Sequence, residues 1–192
     1  MIYSKIAGTG KYLPDHILTN KDLEEMVDTS DDWIKSRTGV EKRHIASDDQ
    51  STSDLAYEAA KIAIRNSSTN LDEIDLIIVG TCTPDLVFPN TATLVQEKLG
   101  IGGCPAFSLE TACSGFIYAA AVADKFIKVG EAKCALVIGA DCLSRLLDWT
   151  DRSTCVLFGD GAGAVILKPS SESGIISCHL GSDGQYKDLL CY

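Results

Sequence analysis

The chain has 192 residues and a formal net charge of −10, with 45% hydrophobic and 23% charged residues. These proportions are typical of a globular protein with one large domain or two small ones. The acidic charge argues against binding to nucleic acid or to an anionic membrane, because both ligands require a basic surface. An acidic partner could still dock on a local basic patch.

The sequence also predicts neither secretion nor insertion into a membrane. No segment approaches the roughly 18 apolar residues that a membrane span needs. The first residues, MIYSKIAGTGKYLP, contain no apolar core of signal-peptide length. We therefore expect a cytoplasmic protein without a membrane-spanning segment.

The N-terminal part of the chain predicts one strand and three helices. IYSKIAGT is an expected strand, and TNKDLEEMV is an expected short helix capped by Thr19 or Asn20. A second helix is expected at TSDDWIKSRTG, where Thr29 or Ser30 caps the start and Gly39 ends the helix. The third is expected at STSDLAYEAAKIAIRNSS. Its apolar stripe at helical spacing consists of Leu55, Ala56, Ala59, Ala60 and Ala63.

Buried strands alternate with helices through the middle of the chain. The run IDLIIVGTC predicts a strand buried on both faces, NTATLVQEKLG predicts a helix that ends at Gly100, and CPAFSLE predicts another strand. A helix is expected from about Ser114 to Val129, followed by the strand CALVIGAD. Two final strands, GAGAVILKP and GIISCHLGS, have no helix between them and predict an antiparallel edge. This order predicts one compact α/β domain with layers around a largely parallel sheet.

Eight cysteines are spread along the chain, at positions 82, 104, 113, 134, 142, 155, 178 and 191. None are spaced as C-x-x-C, and histidines are few, so we predict no metal site. Most lie in apolar runs such as KCALVIGADC. For seven of the eight we therefore expect reduced thiols that pack as small hydrophobic residues.

Cys113 is the exception, because the stretch LETACSGFIYAAAVADKFI places it between a buried strand and a long helix. The start of a helix has unpaired N–H groups and a partial positive charge, which favour a thiolate and can bind an oxyanion. Ala112, Ser114 and Gly115 are small and leave room for a substrate. From position alone, a nucleophile and a packed core cysteine remain alternatives.

Three further patterns have both a functional and a structural interpretation. Trp33 and Arg37 share a helix face, where they could stack on a purine and pair with phosphate, or simply form a half-buried surface. FGDGAGA opens the strand AVILK rather than a helix, so we interpret it as a tight turn and not as a dinucleotide site. In TPDLVFPNT, three apolar residues between two prolines need cover, either from the chain's own core or from another subunit.

Several long strings of the sequence agree with one family. ETACSGF, TNKDLEEMVDTSDDWIKSRTGVEKRHIA, GCPAF, DWTDRSTCVLFGDGAGAVIL and GIISCHLGSDG resemble, in order and across the chain, the β-ketoacyl-acyl-carrier-protein synthases III of the thiolase superfamily. The resemblance implies a thiolase-like layered fold. It also implies that residues 1–192 form the nucleophile-bearing N-terminal half of a duplicated αβαβα architecture.

The resemblance also implies a reaction and a set of site residues. In the family, the motif cysteine, here Cys113, takes an acetyl group from acetyl-CoA, and the acyl-enzyme condenses with malonyl-carrier protein, with loss of carbon dioxide. The tryptophan and arginine that sandwich the adenine correspond to Trp33 and Arg152. The arginine that contacts the nucleotide corresponds to Arg37, with Thr38 beside it. Coenzyme A enters as the substrate thioester, and no other cofactor is expected.

The family's interface and its second half complete the expectations. The phenylalanine that crosses a homodimer interface and closes the partner's acyl pocket corresponds to Phe88, which predicts a homodimer and short acyl groups. The family's mechanism also needs a histidine and an asparagine from a later half, and most of its basic patch for the carrier protein lies there. We therefore expect these residues alone not to condense acetyl and malonyl units. The alternatives are another thiolase-superfamily condensing enzyme, a non-catalytic acyl-CoA-binding module and a redox-sensor cysteine protein.

Overall fold

The computed structural model describes residues 2–189 and shows a five-stranded sheet, with a separate pair of short strands. The strands are β1 (Tyr3–Tyr12), β2 (His16–Thr19), β3 (Lys42–Ile45), β4 (Leu76–Gly80), β5 (Ala106–Leu109), β6 (Ala135–Cys142) and β7 (Asp160–Ser170). The helices are α1 (Asn20–Glu24), α2 (Asp31–Thr38), α3 (Thr52–Asn66), α4 (Thr91–Leu99) and α5 (Gly115–Val129). The predicted α/β layered fold is confirmed.

Strand directions explain why the sheet is mixed but mainly parallel. Its order is β1-β7-β6-β4-β5. β4 runs parallel to both β5 and β6, whereas β7 runs antiparallel to both β6 and β1. β7 is therefore the only strand of this sheet that runs antiparallel to the other four. All of β4 is buried, as the continuous apolar run predicted.

Two apolar layers cover the sheet. The predicted stripe of α3 is fully buried against one face, in a cluster that also contains Val95 of α4. Ala119, Ala123 and Ile127 of α5 pack on the other face. Ser30 caps α2 by accepting a hydrogen bond from the Trp33 N–H, at 3.1 Å. Within residues 2–189, no helix combines the length and apolar character that a membrane crossing requires.

The glycine-rich segment FGDGAGA is not the expected tight turn, because from Asp160 onward it belongs to β7 itself. It opens a strand and not a helix, as the interpretation against a dinucleotide site required. A Cβ atom at Gly159 would lie 2.8 Å from Cβ of Arg43 and 2.9 Å from the carbonyl oxygen of His44. Only glycine fits such a close approach to β3.

The expected strand at GIISCHLGS is wrong. Residues 174–182 form no strand. The segment lies against the outer edge of β1, where the Ile175 N–H donates to the Ser4 carbonyl at 2.8 Å, and against α5, where Tyr118 Oη donates to the Gly181 carbonyl at 3.3 Å. The antiparallel part of the sheet is therefore formed by β1, β7 and β6. The β2–β3 pair was also not predicted from the sequence.

Asp124 provides a test of how α5 is held in place. Its side chain is only 1% exposed, and it binds Lys128 at 2.9 Å and Lys125 at 3.0 Å. Burial alone would raise the pKa of Asp124, but the hydrogen bonds from the two lysines outweigh burial and lower the pKa below its ordinary value. The ionised form therefore stabilises the fold at pH values above the carboxyl's ordinary range.

We predict that Asp124→Asn lowers the free energy of unfolding at neutral pH by about 1–3 kcal/mol, because it breaks a buried charged pair. The difference from wild type should shrink as the pH falls through the lowered pKa of Asp124 and the wild-type carboxyl protonates. Urea unfolding at neutral pH and at a pH below the lowered pKa of Asp124 measures the free energy of unfolding of both proteins. Glu58→Gln, which removes the exposed Glu58–Lys61 pair, is the matched control and should change little. An equal loss in both variants would contradict the prediction.

Candidate active site

Cys113 lies at the joint between β5 and α5. It is the middle residue of a short 3-10 turn, Ala112–Ser114, and α5 begins two residues later, at Gly115. Its thiol is exposed, so it is not a packed core cysteine. The catalytic role of Cys113 stays a prediction.

The residue before Cys113 has an unusual backbone conformation. Ala112 has φ = +45°, in the left-handed region that residues with a Cβ atom rarely adopt. Such a conformation costs on the order of 1–3 kcal/mol and persists only where the surrounding structure enforces it. A sharp strained turn between a strand and a helix is also how serine hydrolases expose their nucleophile.

The contact between α5 and β4 fixes the position of this turn. A Cβ atom at Gly80 would lie 2.4 Å from the carbonyl carbon of Gly115, so the two backbones touch directly. The Thr81 N–H donates to the Leu109 carbonyl at 3.1 Å, which ties the segment after β4 to the end of β5. Cys113 therefore sits beside the residues that follow β4.

A polar network that the sequence analysis missed lies at the same edge of the sheet. Oδ1 of Asp141 accepts hydrogen bonds from Thr81 Oγ1 at 3.0 Å, from Cys82 N at 2.8 Å and from Thr83 Oγ1 at 3.1 Å. Burial raises the pKa of Cys82 to about 12, with further contributions from the charges of Asp141 and Cys113. The neighbouring thiol is thus kept protonated. An acidic residue at the carboxyl end of a buried strand was the available signal for Asp141.

The other cysteines differ in burial. Cys134, Cys142 and Cys155 are buried, as predicted, and burial raises the pKa of each thiol. Cys82, Cys104 and Cys178 are only half-buried, and Cys191 lies outside the described residues. Across residues 2–189, no three His, Cys, Asp or Glu side chains are grouped so that they could hold a metal ion.

Three predicted nucleotide-binding residues come together on the surface. Cζ of Arg37 lies 5.2 Å from the ring centroid of Trp33, and Cζ of Arg152 lies 4.7 Å from it. Arg37 and Trp33 share α2, whereas Arg152 arrives from the segment after β6. Nη1 of Arg152 donates to the Asp28 carbonyl at 2.6 Å. The three side chains form a cationic aromatic platform, which we call the Trp33 platform.

The spacing on the Trp33 platform is too small for an inserted base. Two stacked contacts of about 3.5 Å each would separate the outer partners by about 7 Å. The guanidinium of Arg152 must therefore move outward before a purine can lie between it and Trp33. Thr38 contributes differently, because its hydroxyl donates to Ile34 O at 2.7 Å and accepts from Val40 N at 3.0 Å. It stabilises the end of α2, and its contact with a nucleotide stays a prediction.

The apolar loop between β4 and α4 is exposed. Leu86, Val87 and Phe88 are 52%, 92% and 83% exposed, so the chain's own core does not cover them. The loop ends at Asn90, whose Oδ1 accepts from Ser108 of β5 at 3.3 Å. β5 is an edge strand. The loop therefore lies beside a free edge of the sheet.

Comparisons with known proteins agree on one family. The family model described as 3-oxoacyl-[acyl-carrier-protein (ACP)] synthase III matches residues 107–184. A "Beta-ketoacyl-[acyl-carrier-protein] synthase III" from Xanthomonas campestris is 61% identical over 189 residues, which is 98% of this chain and 58% of the relative. The chain thus spans about three fifths of the length of the curated relatives it matches.

Solved structures agree in fold. The 3-oxoacyl-[acyl-carrier-protein] synthase III from Aquifex aeolicus is 55% identical with a TM-score of 0.86, over 88% of this chain and 55% of that one. The synthase III from Thermus thermophilus is 43% identical with a TM-score of 0.91, over 95% and 57%. By sequence and by fold, the chain belongs to the β-ketoacyl-[acyl-carrier-protein] synthase III family.

Proposed function

We propose that this chain carries the nucleophile and the nucleotide-binding surface of an acyltransferase. The enzyme would form acetoacetyl-carrier protein from acetyl-CoA and malonyl-carrier protein, at the start of fatty acid synthesis. The observation that carries the proposal is the exposed thiol of Cys113 on a strained turn at the start of α5. The names of the relatives support it, and the Trp33 platform in the same molecule suits a nucleotide-bearing substrate.

The first step of the proposed reaction is acyl transfer to sulfur. The Cys113 thiolate attacks the thioester carbonyl of acetyl-CoA, a bond forms between Sγ and the carbonyl carbon, and coenzyme A leaves as its thiolate and takes up a proton. The two sulfur groups have similar basicity, so neither direction is strongly uphill. The partial positive charge at the start of α5 would help to stabilise the oxyanion of the tetrahedral intermediate.

The second step forms the new carbon–carbon bond. Loss of carbon dioxide from malonyl-carrier protein leaves a carbanion that attacks the acetyl carbonyl on Cys113. The bond from Sγ to carbon then breaks and frees the thiolate. Stabilising that carbanion needs the histidine and asparagine expected in the other half of the family's architecture. We propose that residues 1–192 correspond to the nucleophile-bearing half and do not complete the condensation alone.

The Trp33 platform is the proposed site for the coenzyme A nucleotide. Trp33 offers a flat face for adenine, the Arg152 guanidinium can stack on the other face of the base, and Arg37 supplies a cation for the phosphates of the nucleotide. Arg152 is anchored through its bond to the Asp28 carbonyl, and the outward movement that a base requires must break or stretch that bond. Nucleotide binding is therefore proposed to rearrange Arg152.

A homodimer is the proposed assembly. Phe88 and its neighbours expose apolar surface next to the free edge of β5, and contiguous apolar surface of this kind is typical of a protein interface. In such a dimer, the ring of Phe88 would close the acyl pocket of the partner, which favours acetyl and other short acyl groups.

We predict that incubation with acetyl-CoA adds the mass of one acetyl group to the chain, at Cys113. Intact mass and peptide mapping measure the adduct, and Cys178→Ser, which changes another accessible thiol, should leave it intact. Competition with longer and aromatic acyl-CoAs identifies the preferred acyl group.

An unmodified Cys113, together with coenzyme A binding that survives Cys113→Ala, would instead indicate a non-catalytic acyl-CoA-binding module.

Selective alkylation tests the reactivity of the thiol independently. At about pH 8, iodoacetamide should modify Cys113 at least about tenfold faster than the buried cysteines, whose thiols are inaccessible and have raised pKa values. Time-resolved peptide mapping measures each rate, and the fast phase should disappear in Cys113→Ser. Equal rates at all sites would show that Cys113 has no special reactivity.

We predict that Phe88→Glu weakens self-association by about tenfold or more, because a carboxylate replaces an apolar side chain at the proposed interface. Sedimentation equilibrium at several protein concentrations measures the dissociation constant. Ile176→Glu is the matched control, since Ile176 is also exposed, at 77%, but lies in the segment after β7. A monomeric wild type, or the same effect from both variants, would rule out the Phe88 interface.

A further inference from the structure

Arg43 is a buried cation without a carboxylate partner. Its side chain lies in β3, and the residue is only 4% exposed. Within the described part of the chain it forms no salt bridge, and its Nε atom is buried without a hydrogen-bond partner. Burial lowers the pKa of Arg43. A buried charge with no counter-ion is costly, so the contacts that this guanidinium does make need a reason.

Both contacts of Arg43 connect segments that are far apart in sequence. Nη1 donates to Oδ1 of Asn20 at 2.8 Å, and Nη2 donates to the carbonyl of Val156 at 2.6 Å. Val156 is buried and closes the turn that begins at Asp151, where the Cys155 N–H donates to the Asp151 carbonyl at 3.1 Å. Arg152 lies within that turn. One end of the guanidinium therefore fixes the segment that carries Arg152.

The other end of the guanidinium leads to α2. Asn20 is 1% exposed, and its Nδ2 group donates to Asp31 Oδ1 and to the Val40 carbonyl, both at 2.8 Å. Asp31 is the first residue of α2, and Val40 follows its C-terminal cap, Gly39. A single amide thus holds both ends of the helix that carries Trp33 and Arg37.

Apolar packing alone does not determine the distance between these two segments. The core beneath the platform has only four buried members, Leu23, Ile34, Cys155 and Val156. Such packing is non-directional and tolerates small shifts, whereas hydrogen bonds depend steeply on distance and angle. The chain of bonds from Val156 through Arg43 and Asn20 to Asp31 is directional at each link.

We propose that Arg43, acting through Asn20, is a positioning residue for nucleotide binding. Its guanidinium sets the distance between α2 and the segment of Arg152, so that Trp33 and Arg152 can close on the same base. Arg43 does not touch the ligand, because it is buried beneath the platform. The inference rests on the proposed function, in which the Trp33 platform binds the coenzyme A nucleotide.

Two acetyl thioesters separate positioning from a general structural role. Acetyl-CoA carries the nucleotide, whereas acetyl-N-acetylcysteamine presents the same thioester without it. We expect Arg43→Met to weaken coenzyme A binding by about tenfold, because Trp33 and Arg152 would no longer be held at the distance that the base requires. Acetylation of Cys113 by acetyl-N-acetylcysteamine should stay within about twofold of wild type. Arg43→Lys, which keeps the charge but has a single nitrogen in place of the guanidinium fork, should recover part of the affinity.

Isothermal titration calorimetry measures the affinity for coenzyme A. Intact-mass kinetics measure the rate at which acetyl-N-acetylcysteamine acetylates Cys113, and thermal unfolding monitors the fold. Arg65→Met, at an exposed arginine on α3, is the matched control and should change neither quantity. If Arg43→Met does not fold, Asn20→Asp provides the second test. It keeps the acceptor for Arg43 but removes the donors to Asp31 and Val40, and it should also weaken coenzyme A binding while acetyl-N-acetylcysteamine still reacts.

The outcomes distinguish the inference from the proposed function. Wild-type affinity for coenzyme A in folded variants of Arg43 and Asn20 would overturn the inference alone. Equal slowing with both thioesters would also overturn it and would assign Arg43 a merely structural role. A wild-type chain that binds no coenzyme A would overturn the proposed function, and the inference with it.

Discussion

The direct backbone contact between Gly80 and Gly115 is the constraint on which the site depends. A side chain on either residue would separate α5 from β4, and at Gly80 the clash would be with backbone atoms that cannot move aside. Because α5 is held this close, the short turn that carries Cys113 has little room to relax. Ala112, three residues before this contact, has a strained φ of +45°, which persists only where the surrounding structure enforces it. The exposed thiol is therefore a consequence of how the central helix packs on the central strand.

Asp141 adds a second constraint at the same edge of the sheet. One carboxylate oxygen collects donors from three consecutive residues after β4, and Thr83 Oγ1 in turn accepts from the Cys142 N–H at 2.9 Å. The start of the exposed loop is thus fixed to the end of β6. Rigid support at its start and at Asn90 lets the loop present Leu86, Val87 and Phe88 outward in one place. A flexible loop with the same composition would lose entropy on association.

Local sequence rules predicted the elements whose signals are local. Ser30 and Gly39 cap α2 as expected, and the burial of β4 followed from its apolar run. The β2–β3 pair was missed because each strand has four residues and its partner lies more than 20 residues away. GIISCHLGS has the composition of a strand, but composition does not reveal that its contact with β1 is one backbone hydrogen bond, from the Ile175 N–H to the Ser4 carbonyl, and not a ladder. The Cys113 joint was predictable, whereas the buried role of Arg43 was not, because arginine side chains are usually exposed.

The two parts of the candidate site rest on separate supports, and this separation has an energetic consequence. Cys113 depends on the packing of α5 on the sheet, whereas the Trp33 platform depends on the small cluster around Leu23 and on Arg43. Binding energy from a remote part of a substrate can be used to orient its reacting group. In the proposed function, the nucleotide first has to displace Arg152 from Trp33, so part of its binding energy would be consumed before the thioester reaches the thiol. The rigid bonds of Arg43 reduce that cost, since only the Arg152 side chain, and not its whole segment, needs to move.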